Sequence, residues 1–326
     1  MPEGDAVYRT ARRLRRALDG RVLTRSDFRV PRHASADLTG RGVHETVSRG
    51  KHLLTRVEGG LTVHTHLRMD GSWRVLPAGA RLPAGDLRTD AIRLILANAE
   101  WLAAGVRLGV VDLLPTAEED RVVGHLGPDL LGPDWDLAEA VRRLSGAPAE
   151  TIGVALLDQR NLAGIGTIYR AETLFLAGVS PWRPVGAFKD AASLGKVVDL
   201  AHRLLTANRD RAGIVTTGDA RPGRSTWVYG RPGRSCHRCG TRIRTGSLGG
   251  VGPSEHGWPR SGQRPSSSEE SREESRPDES RSSEESRAGV RGGMRRTPHQ
   301  DPVKDTRGGR PSQERLIYWC PSCQPA

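Results

Sequence analysis

Residues 156–170 read LLDQRNLAGIGTIYR, a stretch in which glycines interrupt an otherwise helical pattern. Apolar residues recur at helical spacing over 149–159 and again over 166–177, on either side of the break. Gly164 and Gly166 permit a tight turn here and leave backbone N–H groups exposed for a phosphate. A glycine cap within an ordinary packed helical pair is the alternative. The pattern predicts two helices joined by a short glycine-containing turn.

Further helical signals surround this pair at 136–145 and 190–208, so we predict a helical domain spanning 126–225. The preceding segment, from about 21 to 115, consists of short and partly alternating apolar runs separated by Gly, Pro and Asp. One such run is HLLTRV at 52–57. Runs of this kind are typical of a β-sandwich.

An amphipathic helix is predicted in front of the sandwich, between Asp5 and Asp19, with Gly20 as its C-terminal cap. Most of its arginines lie off the apolar stripe, and we interpret them as a solvated face with a general attraction for phosphate. Together with the sandwich this helix makes up a predicted N-terminal domain at 1–120. The apolar stripe consists of Val7, Ala11, Leu14 and Leu18. The arginines are Arg9, Arg12, Arg13, Arg15 and Arg16.

The chain begins Met1-Pro2-Glu3-Gly4-Asp5. Removal of Met1 would leave Pro2 with a terminal secondary amine. Ordinary α-amino groups titrate at about 7.7 to 8.0, so a useful fraction is free to attack an electrophilic carbon and form a Schiff base. Glu3 can supply the proton. Many chains begin in this way without any chemical role for the proline, so the motif gains its weight from the features that accompany it.

The charge balance favours a polyanionic partner. Fifty Lys and Arg residues against 38 Asp and Glu give a net charge of +12, and neutralising phosphates releases counterions. No run of 18 or more apolar residues predicts a membrane span, and no secretory signal is recognisable. We therefore expect a cytoplasmic protein.

The cysteines form two pairs, Cys236/Cys239 and Cys320/Cys323, each with the Cys-x-x-Cys spacing of a zinc knuckle. We predict one structural Zn²⁺ with four thiolate ligands, which leave no open position for catalysis. His237 as a substitute ligand and a redox dithiol are the weaker alternatives.

The two pairs are separated by residues 240–319, whereas zinc ribbons of this pattern have a gap of about 15 to 20 residues. Within the gap, 261–290 contains ten Ser and seven Glu, a composition that predicts disorder. If about 247–312 loops out, 241–245 and 315–319 form a hairpin between the knuckles. Each doubling of a flexible loop costs only about 0.6 kcal/mol. The predicted C-terminal domain, at 226–326, is thus a zinc finger with a disordered insertion.

Four motifs in this order resemble the Fpg/Nei family of DNA glycosylases with lyase activity, most closely its endonuclease VIII branch in actinobacteria. They are PEGD at 2–5, GKHL at 50–53, the stretch at 157–169, and YWCPSCQ at 318–324. The resemblance covers nearly the whole chain apart from the insertion. It implies an α+β fold: a β-sandwich with flanking helices, a helix–two-turn–helix unit at roughly 149–177, and a four-cysteine zinc-finger hairpin.

The resemblance also implies catalytic roles. Pro2 would attack C1′ of a damaged nucleotide, Glu3 would assist proton transfer at the sugar, and Lys51 would hold a flanking phosphate. An imine at C1′ acidifies the adjacent sugar carbon, so the 3′ and then the 5′ phosphate can be eliminated.

Three further residues would contact DNA. Met69 is the candidate for filling the space left by an extruded nucleotide, with a core methionine as the alternative. Arg315 would contact a phosphate opposite it; alone, it would be an ordinary exposed strand residue. Thr167 stands where the family usually has Asn. His64 and His66 share one strand face, and we interpret them as packing histidines rather than metal ligands.

The predicted function is a bifunctional DNA glycosylase/AP lyase of base excision repair that removes oxidised pyrimidines by β,δ-elimination. Excision of 8-oxoguanine or formamidopyrimidine is the first alternative, and a catalytically weak protein that binds lesions or distorted DNA is the second. The expected partner is damaged double-stranded DNA, with single-stranded or forked DNA as a further possibility. We expect a nucleoid-associated monomer.

Overall fold

The computed structural model of the protein describes residues 2–80, 91–248 and 316–325, and these belong to one compact unit. The predictions for Met1, for Arg315 and for the insertion from residue 249 onward lie outside the described residues. The domain boundaries proposed from the sequence stay predictions. No helix in the described ranges is long and apolar enough to cross a membrane.

The N-terminal part is a sandwich of two antiparallel four-stranded sheets, as predicted. One sheet has the strand order β1-β6-β7-β5 and the other β2-β3-β4-β8. The strands are β1 (Arg25–Phe28), β2 (Val43–Arg49), β3 (His52–Val57), β4 (Leu61–His66), β5 (Ser72–Pro77), β6 (Ile92–Ala97), β7 (Trp101–Val106) and β8 (Val110–Pro115).

The first helix, α1 (Gly4–Leu18), packs its apolar stripe into the core of this sandwich. Leu14 and Leu18 are almost fully buried there, beside Leu53 of one sheet and Leu94 of the other. The predicted C-terminal cap is confirmed, because Gly20 follows the helix with a φ of +72°, a conformation that glycine adopts without steric cost. Because its apolar stripe is buried together with residues of both sheets, α1 belongs to the sandwich core.

The middle of the chain is helical and has its own apolar core, which includes Leu130, Tyr169, Val198 and Leu205. Its helices are α2 (Asp120–Val123), α3 (Leu137–Ser145), α4 (Ile152–Ala155), α5 (Thr167–Leu176) and α6 (Ala191–Asn208). Asp136 and Asp190 are the N-cap residues of α3 and α6, and the side chain of each accepts a backbone N–H from the first turn of its helix.

The helix predicted over 149–159 is wrong in its extent, since α4 ends at Ala155. The side-chain amide of Asn161 donates to the Ala155 carbonyl at 2.9 Å. In a longer helix, this carbonyl would accept the backbone N–H of Gln159. The Gln159 side chain donates to the carbonyls of Leu157 and Ile165 instead. Side chains of the turn thus replace the next helical hydrogen bonds.

The C-terminal hairpin pairs β9 (Arg244–Ser247) with β10 (Leu316–Trp319). The first strand was predicted at 241–245, but it begins at Arg244, because the turn around Cys236 and Cys239 extends to Thr241. The Cys236 N–H donates to the Thr241 carbonyl, and the Gly240 N–H donates to the Cys236 carbonyl. The residues after Cys239 therefore form a tight turn before the strand can begin.

Helix α5 connects the helical core to this hairpin through two fully buried charged residues. The Arg170 guanidinium donates to the Gly153 carbonyl at 3.2 Å and to the Leu316 carbonyl of β10 at 2.6 Å. The Glu172 carboxylate accepts the backbone N–H groups of 227–229 at 2.7 to 2.9 Å. The segment before the first knuckle is therefore held by one carboxylate.

We predict that Glu172→Ala lowers the free energy of unfolding by about 3 kcal/mol or more, because buried N–H groups lose their acceptor. Urea unfolding followed by circular dichroism measures the change. Glu139→Ala is the matched control, since Glu139 pairs with arginines at the surface of α3 and its loss should have little effect. Equal effects of the two substitutions would contradict the role of Glu172.

Candidate active site

The Glu3 carboxylate lies at the N-terminus of α5. Its Oε2 accepts the N–H of Gly166 at 2.8 Å, and its Oε1 accepts the N–H of Ile168 at 2.7 Å. The Tyr169 N–H is a third donor, at 3.3 Å from Oε2. Only 1 % of Glu3 is exposed. The unpaired N–H groups and partial positive charge of a helix N-terminus favour a carboxylate there, so Glu3 fastens the start of the sandwich to the helical part.

The predicted glycine turn is present and packs against the N-terminus. Gly164 has a φ of +100°, and its carbonyl accepts the Gly4 N–H at 2.8 Å. A Cβ on Gly166 would lie 2.5 Å from the Glu3 Cδ. The N–H groups of Gly164 and Gly166 are occupied within the protein, because the first donates to the Gln159 side chain and the second to Glu3. These two groups are therefore not open to a phosphate, and a phosphate contact by other N–H groups of the turn stays a prediction.

Lys51 follows a turn that is anchored in the helical part. Gly50 has a φ of +57°, and its N–H donates to Asp129 Oδ2 at 2.7 Å. Asp129 is buried, and its burial raises the pKa of this carboxyl. Lys51 is itself 8 % exposed, and its positive charge acts on Glu3. The turn thus brings a buried ammonium group to the Glu3 carboxyl.

The pKa of Glu3 is raised above its usual value. Burial is the largest cause, because desolvation disfavours the charged form. The charge of Lys51 and the N–H groups of Ile168 and Tyr169 oppose the shift, and the charge of Asp5 adds to it. Glu3 therefore keeps a proton to higher pH than an exposed glutamate and can act as a proton donor.

Pro2 is partly buried and lines a cleft of about 590 Å³ that follows α1. Four of the five arginines predicted as a phosphate-attracting face line this cleft, as do Leu67, Gly71 and Trp73. Arg12 forms an ion pair with Asp210, which also lines the cleft. Pro2 thus faces a space with cationic walls. The arginines that line the cleft are Arg9, Arg12, Arg13 and Arg16.

The residues expected to contact DNA are placed as follows. Met69 lies in the loop after β4 and is 46 % exposed, so it is not a core methionine. The preceding Arg68 has a φ of +54°, which turns the chain sharply. Thr167 is the first residue of α5 and is partly exposed. The structure does not describe Arg315.

His64 and His66 join His52 in a packed cluster beside Lys51. The His52 Nδ1 and His64 Nε2 atoms are 2.8 Å apart, and the rings of His52 and His66 meet edge to face. Burial lowers the pKa of His52 to about 3 and that of His66 to about 4. These rings are therefore neutral near pH 7, and in the described ranges the only candidate metal cluster is the set of four cysteines.

The four cysteine sulfurs lie within 4.8 Å of one another. The Sγ atoms of Cys236 and Cys323 are 3.9 Å apart, and those of Cys239 and Cys320 are 3.4 Å apart. Tetrahedral thiolates at about 2.3 Å from zinc would be roughly 3.8 Å apart, whereas a disulfide requires about 2.05 Å. Burial raises the pKa of Cys320 and Cys323, and a divalent cation would relieve that penalty. The cluster fits a metal ion.

Sequence reasoning missed the supporting residues Asp129 and Gln159. Asp129 ends the first copy of the doubled Leu-Gly-Pro-Asp at 126–129 and 131–134, and this repetition was the available signal. Gln159 lies within one of the family motifs, but a role for its side chain requires the conformation of the turn. The Gln159 side chain bonds to backbone groups within the same turn, whereas Asp129 accepts the N–H of Gly50, which is far from it in sequence.

Two family descriptions match the chain. The formamidopyrimidine-DNA glycosylase N-terminal domain matches residues 1–111, and the formamidopyrimidine-DNA glycosylase H2TH domain, the helix–two-turn–helix unit, matches 126–214. A probable endonuclease 8 2 from Streptomyces coelicolor is 58 % identical over 76 % of this chain and 88 % of its own. The DNA-(apurinic or apyrimidinic site) lyase Nei2 of Mycolicibacterium smegmatis is 45 % identical, over 75 % of this chain and 93 % of its own.

Among solved structures, Lactococcus lactis formamidopyrimidine-DNA glycosylase bound to DNA with an abasic site shares the fold. Its TM-score is 0.67 at 19 % identity, over 99 % of this chain and 100 % of that one. The sandwich and the helix–two-turn–helix unit thus define the class of this protein. The chain belongs to the Fpg/Nei family of DNA glycosylases, as its motifs predicted.

We predict that Gly166→Ala lowers the free energy of unfolding by about 2 kcal/mol or more, because its Cβ would displace the buried Glu3 carboxylate. Gly195→Ala is the matched control within α6, where the nearest atom to the added Cβ, on Val141, is 3.7 Å away. That control should be neutral or stabilising. Urea unfolding of both variants checks the prediction, and an unaffected Gly166→Ala variant would exclude the tight packing of Glu3.

Proposed function

We propose that this protein is a bifunctional DNA glycosylase/AP lyase of base excision repair that acts on oxidised pyrimidines in damaged double-stranded DNA. The observation that carries the proposal is the buried Glu3 carboxyl next to Pro2, with its raised pKa and with Lys51 beside it. Proton donor, terminal amine and phosphate-binding cation are thus close together. The names of the Streptomyces and Mycolicibacterium relatives support the same activity.

The reaction begins when the Pro2 nitrogen attacks C1′ of the damaged nucleotide. The N–C1′ bond forms, the glycosidic bond breaks, and the base leaves with a proton. Glu3, still protonated, donates a proton at the sugar as its ring opens, which leaves an iminium ion. Loss of a proton from C2′ then expels the 3′ phosphate, and a second elimination expels the 5′ phosphate. Water then hydrolyses the iminium ion, which restores the Pro2 amine and releases the remaining sugar fragment as an unsaturated aldehyde. The products are a free base, this fragment and a strand cut on both sides of the missing nucleotide.

The remaining residues bind DNA in this proposal. Lys51 holds the phosphate next to the lesion, and the exposed Met69 side chain fills the space of the extruded nucleotide. Thr167 donates a shorter phosphate contact than Asn would, and Arg315 contacts a phosphate from the hairpin. The net charge of +12 favours this polyanionic partner. We expect the protein to act as a monomer in the cytoplasm.

The preferred lesion separates the two enzymatic candidates. Oxidised pyrimidines are favoured because relatives with higher identity are named endonuclease 8, whereas a formamidopyrimidine-DNA glycosylase from Rhizorhabdus wittichii is 36 % identical. Cleavage rates on 5-hydroxyuracil, 8-oxoguanine and abasic duplexes distinguish the two activities.

Zinc is proposed as the metal of the cysteine cluster, as one structural ion. Cys236, Cys239, Cys320 and Cys323 supply four sulfur ligands, the set that structural zinc sites use, and their separations fit a tetrahedron. A bound Zn²⁺ would hold the hairpin and would not activate water, because all four positions are occupied by protein.

We predict that Pro2→Gly reduces borohydride-trapped complex and base excision at least tenfold, because the geometry of the secondary amine is lost. Mass spectrometry of the wild-type adduct should place the DNA on Pro2 and show that Met1 is absent. Pro31→Gly, in the sandwich, controls for a general effect of losing a proline. Tight binding without any wild-type adduct would favour the protein that only binds lesions.

A second prediction concerns the metal. Elemental analysis should find one zinc ion per chain, and Cys320→Ser should lose both the zinc and the affinity for DNA, because the hairpin is no longer held. Deleting 250–310 is the control and should leave the zinc content unchanged. Loss of zinc in the deletion variant, or unchanged DNA binding in Cys320→Ser, would contradict the structural role.

A further inference from the structure

A second buried carboxylate lies beside Glu3. Asp5 is in the first turn of α1 and is fully buried. Its Oδ2 accepts a hydrogen bond of 2.9 Å from the Arg9 guanidinium, which also donates to the Asn208 carbonyl at 2.8 Å. Its Oδ1 has no hydrogen-bond partner among the described residues. A buried carboxylate oxygen without a hydrogen-bond donor is unfavourable, so its presence needs an explanation.

Tyr169 contacts Glu3 directly, and the negative charges of Asp5 and Glu3 both act on it. Its N–H donates to Glu3 Oε2 at 3.3 Å. Its hydroxyl is buried without another partner in the described ranges, and so is Asp5 Oδ1. The pKa of Tyr169 is raised, first by burial and then by the negative charges of Asp5 and Glu3. Tyr169 is thus a residue of α5 that is close to both carboxyl groups.

The charges around Glu3 come from three elements. Lys51, on the turn after β2, supplies a positive charge, and the N-terminus of α5 supplies N–H groups. On α1, Asp5 supplies a negative charge that is partly balanced by Arg9. The terminal amine of Pro2 is a further titratable group. Positive charge and N–H groups favour the ionised form of Glu3, and Asp5 opposes them.

We propose that Asp5 is a positioning residue for base excision, whose buried carboxylate favours a proton on Glu3 at the head of α5 and whose charge Arg9 partly offsets. The inference rests on the proposed function, because it assigns Glu3 the role of proton donor. Asp5 neither contacts the substrate nor transfers a proton. A purely structural Asp5, which pairs with Arg9 and favours the start of α1, is the alternative that the experiment must separate.

The experiment is a pH profile of single-turnover excision from a 5-hydroxyuracil duplex. Activity is lost as the pH rises through the pKa of Glu3, since the proton donor then ionises. Asp5→Asn removes the opposing negative charge, which lowers that pKa. The alkaline limb of the profile should therefore move to lower pH, by about half a unit or more. The acid limb, set by the Pro2 amine, should move in the same direction.

Arg9→Gln provides a test of opposite sign. It leaves the charge of Asp5 unbalanced, so the pKa of Glu3 rises and the alkaline limb should move to higher pH. Tyr169→Phe keeps both carboxyl groups and should leave the limb closer to its wild-type position than either charge change does. Asp136→Asn, at the exposed N-cap of α3, is the matched control and should leave the limb in place.

The outcomes distinguish this inference from the proposed function. Absence of excision and of trapping by the wild-type protein would overturn the proposed function itself. If the wild type is active and the folded Asp5→Asn and Arg9→Gln variants keep its alkaline limb, Asp5 is only structural. Thermal unfolding shows whether each variant is folded, and if Asp5→Asn does not fold, the direction of the Arg9→Gln shift decides. Shifts of opposite sign support the inference.

Discussion

The binding of one carboxylate at one helix terminus underlies the architecture of this protein. Glu3 belongs to the chain terminus that packs on the sandwich, yet its three hydrogen-bond donors belong to the head of α5. A helix terminus buried without acceptors would be costly, and so would a buried carboxylate without donors. Each satisfies the other, so the position of Pro2 is fixed by the fit between the two parts of the molecule.

Helix α5 carries this constraint onward to the C-terminal hairpin. Within a few residues it presents N–H groups to Glu3, a guanidinium to β10 and a carboxylate to the segment before the first knuckle. Because these contacts lie on or next to one helix, Thr167–Leu176, the hairpin and Pro2 are positioned relative to the same element.

Much of this arrangement could be predicted from the sequence, because local patterns determine it. The stripe of α1, the alternating strands and the cysteine spacing each follow from short-range periodicity, and the structure confirms the fold they predict. The N–H groups of the glycine turn were expected to be open to a phosphate because sequence does not reveal that Glu3 and Gln159 occupy those of Gly166 and Gly164. The extent of α4 was missed for a similar reason, since Asn161 ends it through a side chain. These errors arise where a polar group is satisfied by a distant or unexpected partner.

The hairpin joins two segments that are far apart in sequence, since β9 ends at Ser247 and β10 begins at Leu316. In the described structure, β10 is held by its pairing with β9 and by the Arg170 guanidinium. These contacts do not require the chain between β9 and β10 to be intact. A single backbone cleavage within 249–315 would therefore leave two polypeptides that remain one particle. Such a nicked protein would migrate as one species in native gels and as two after denaturation, and its finger would still be assembled.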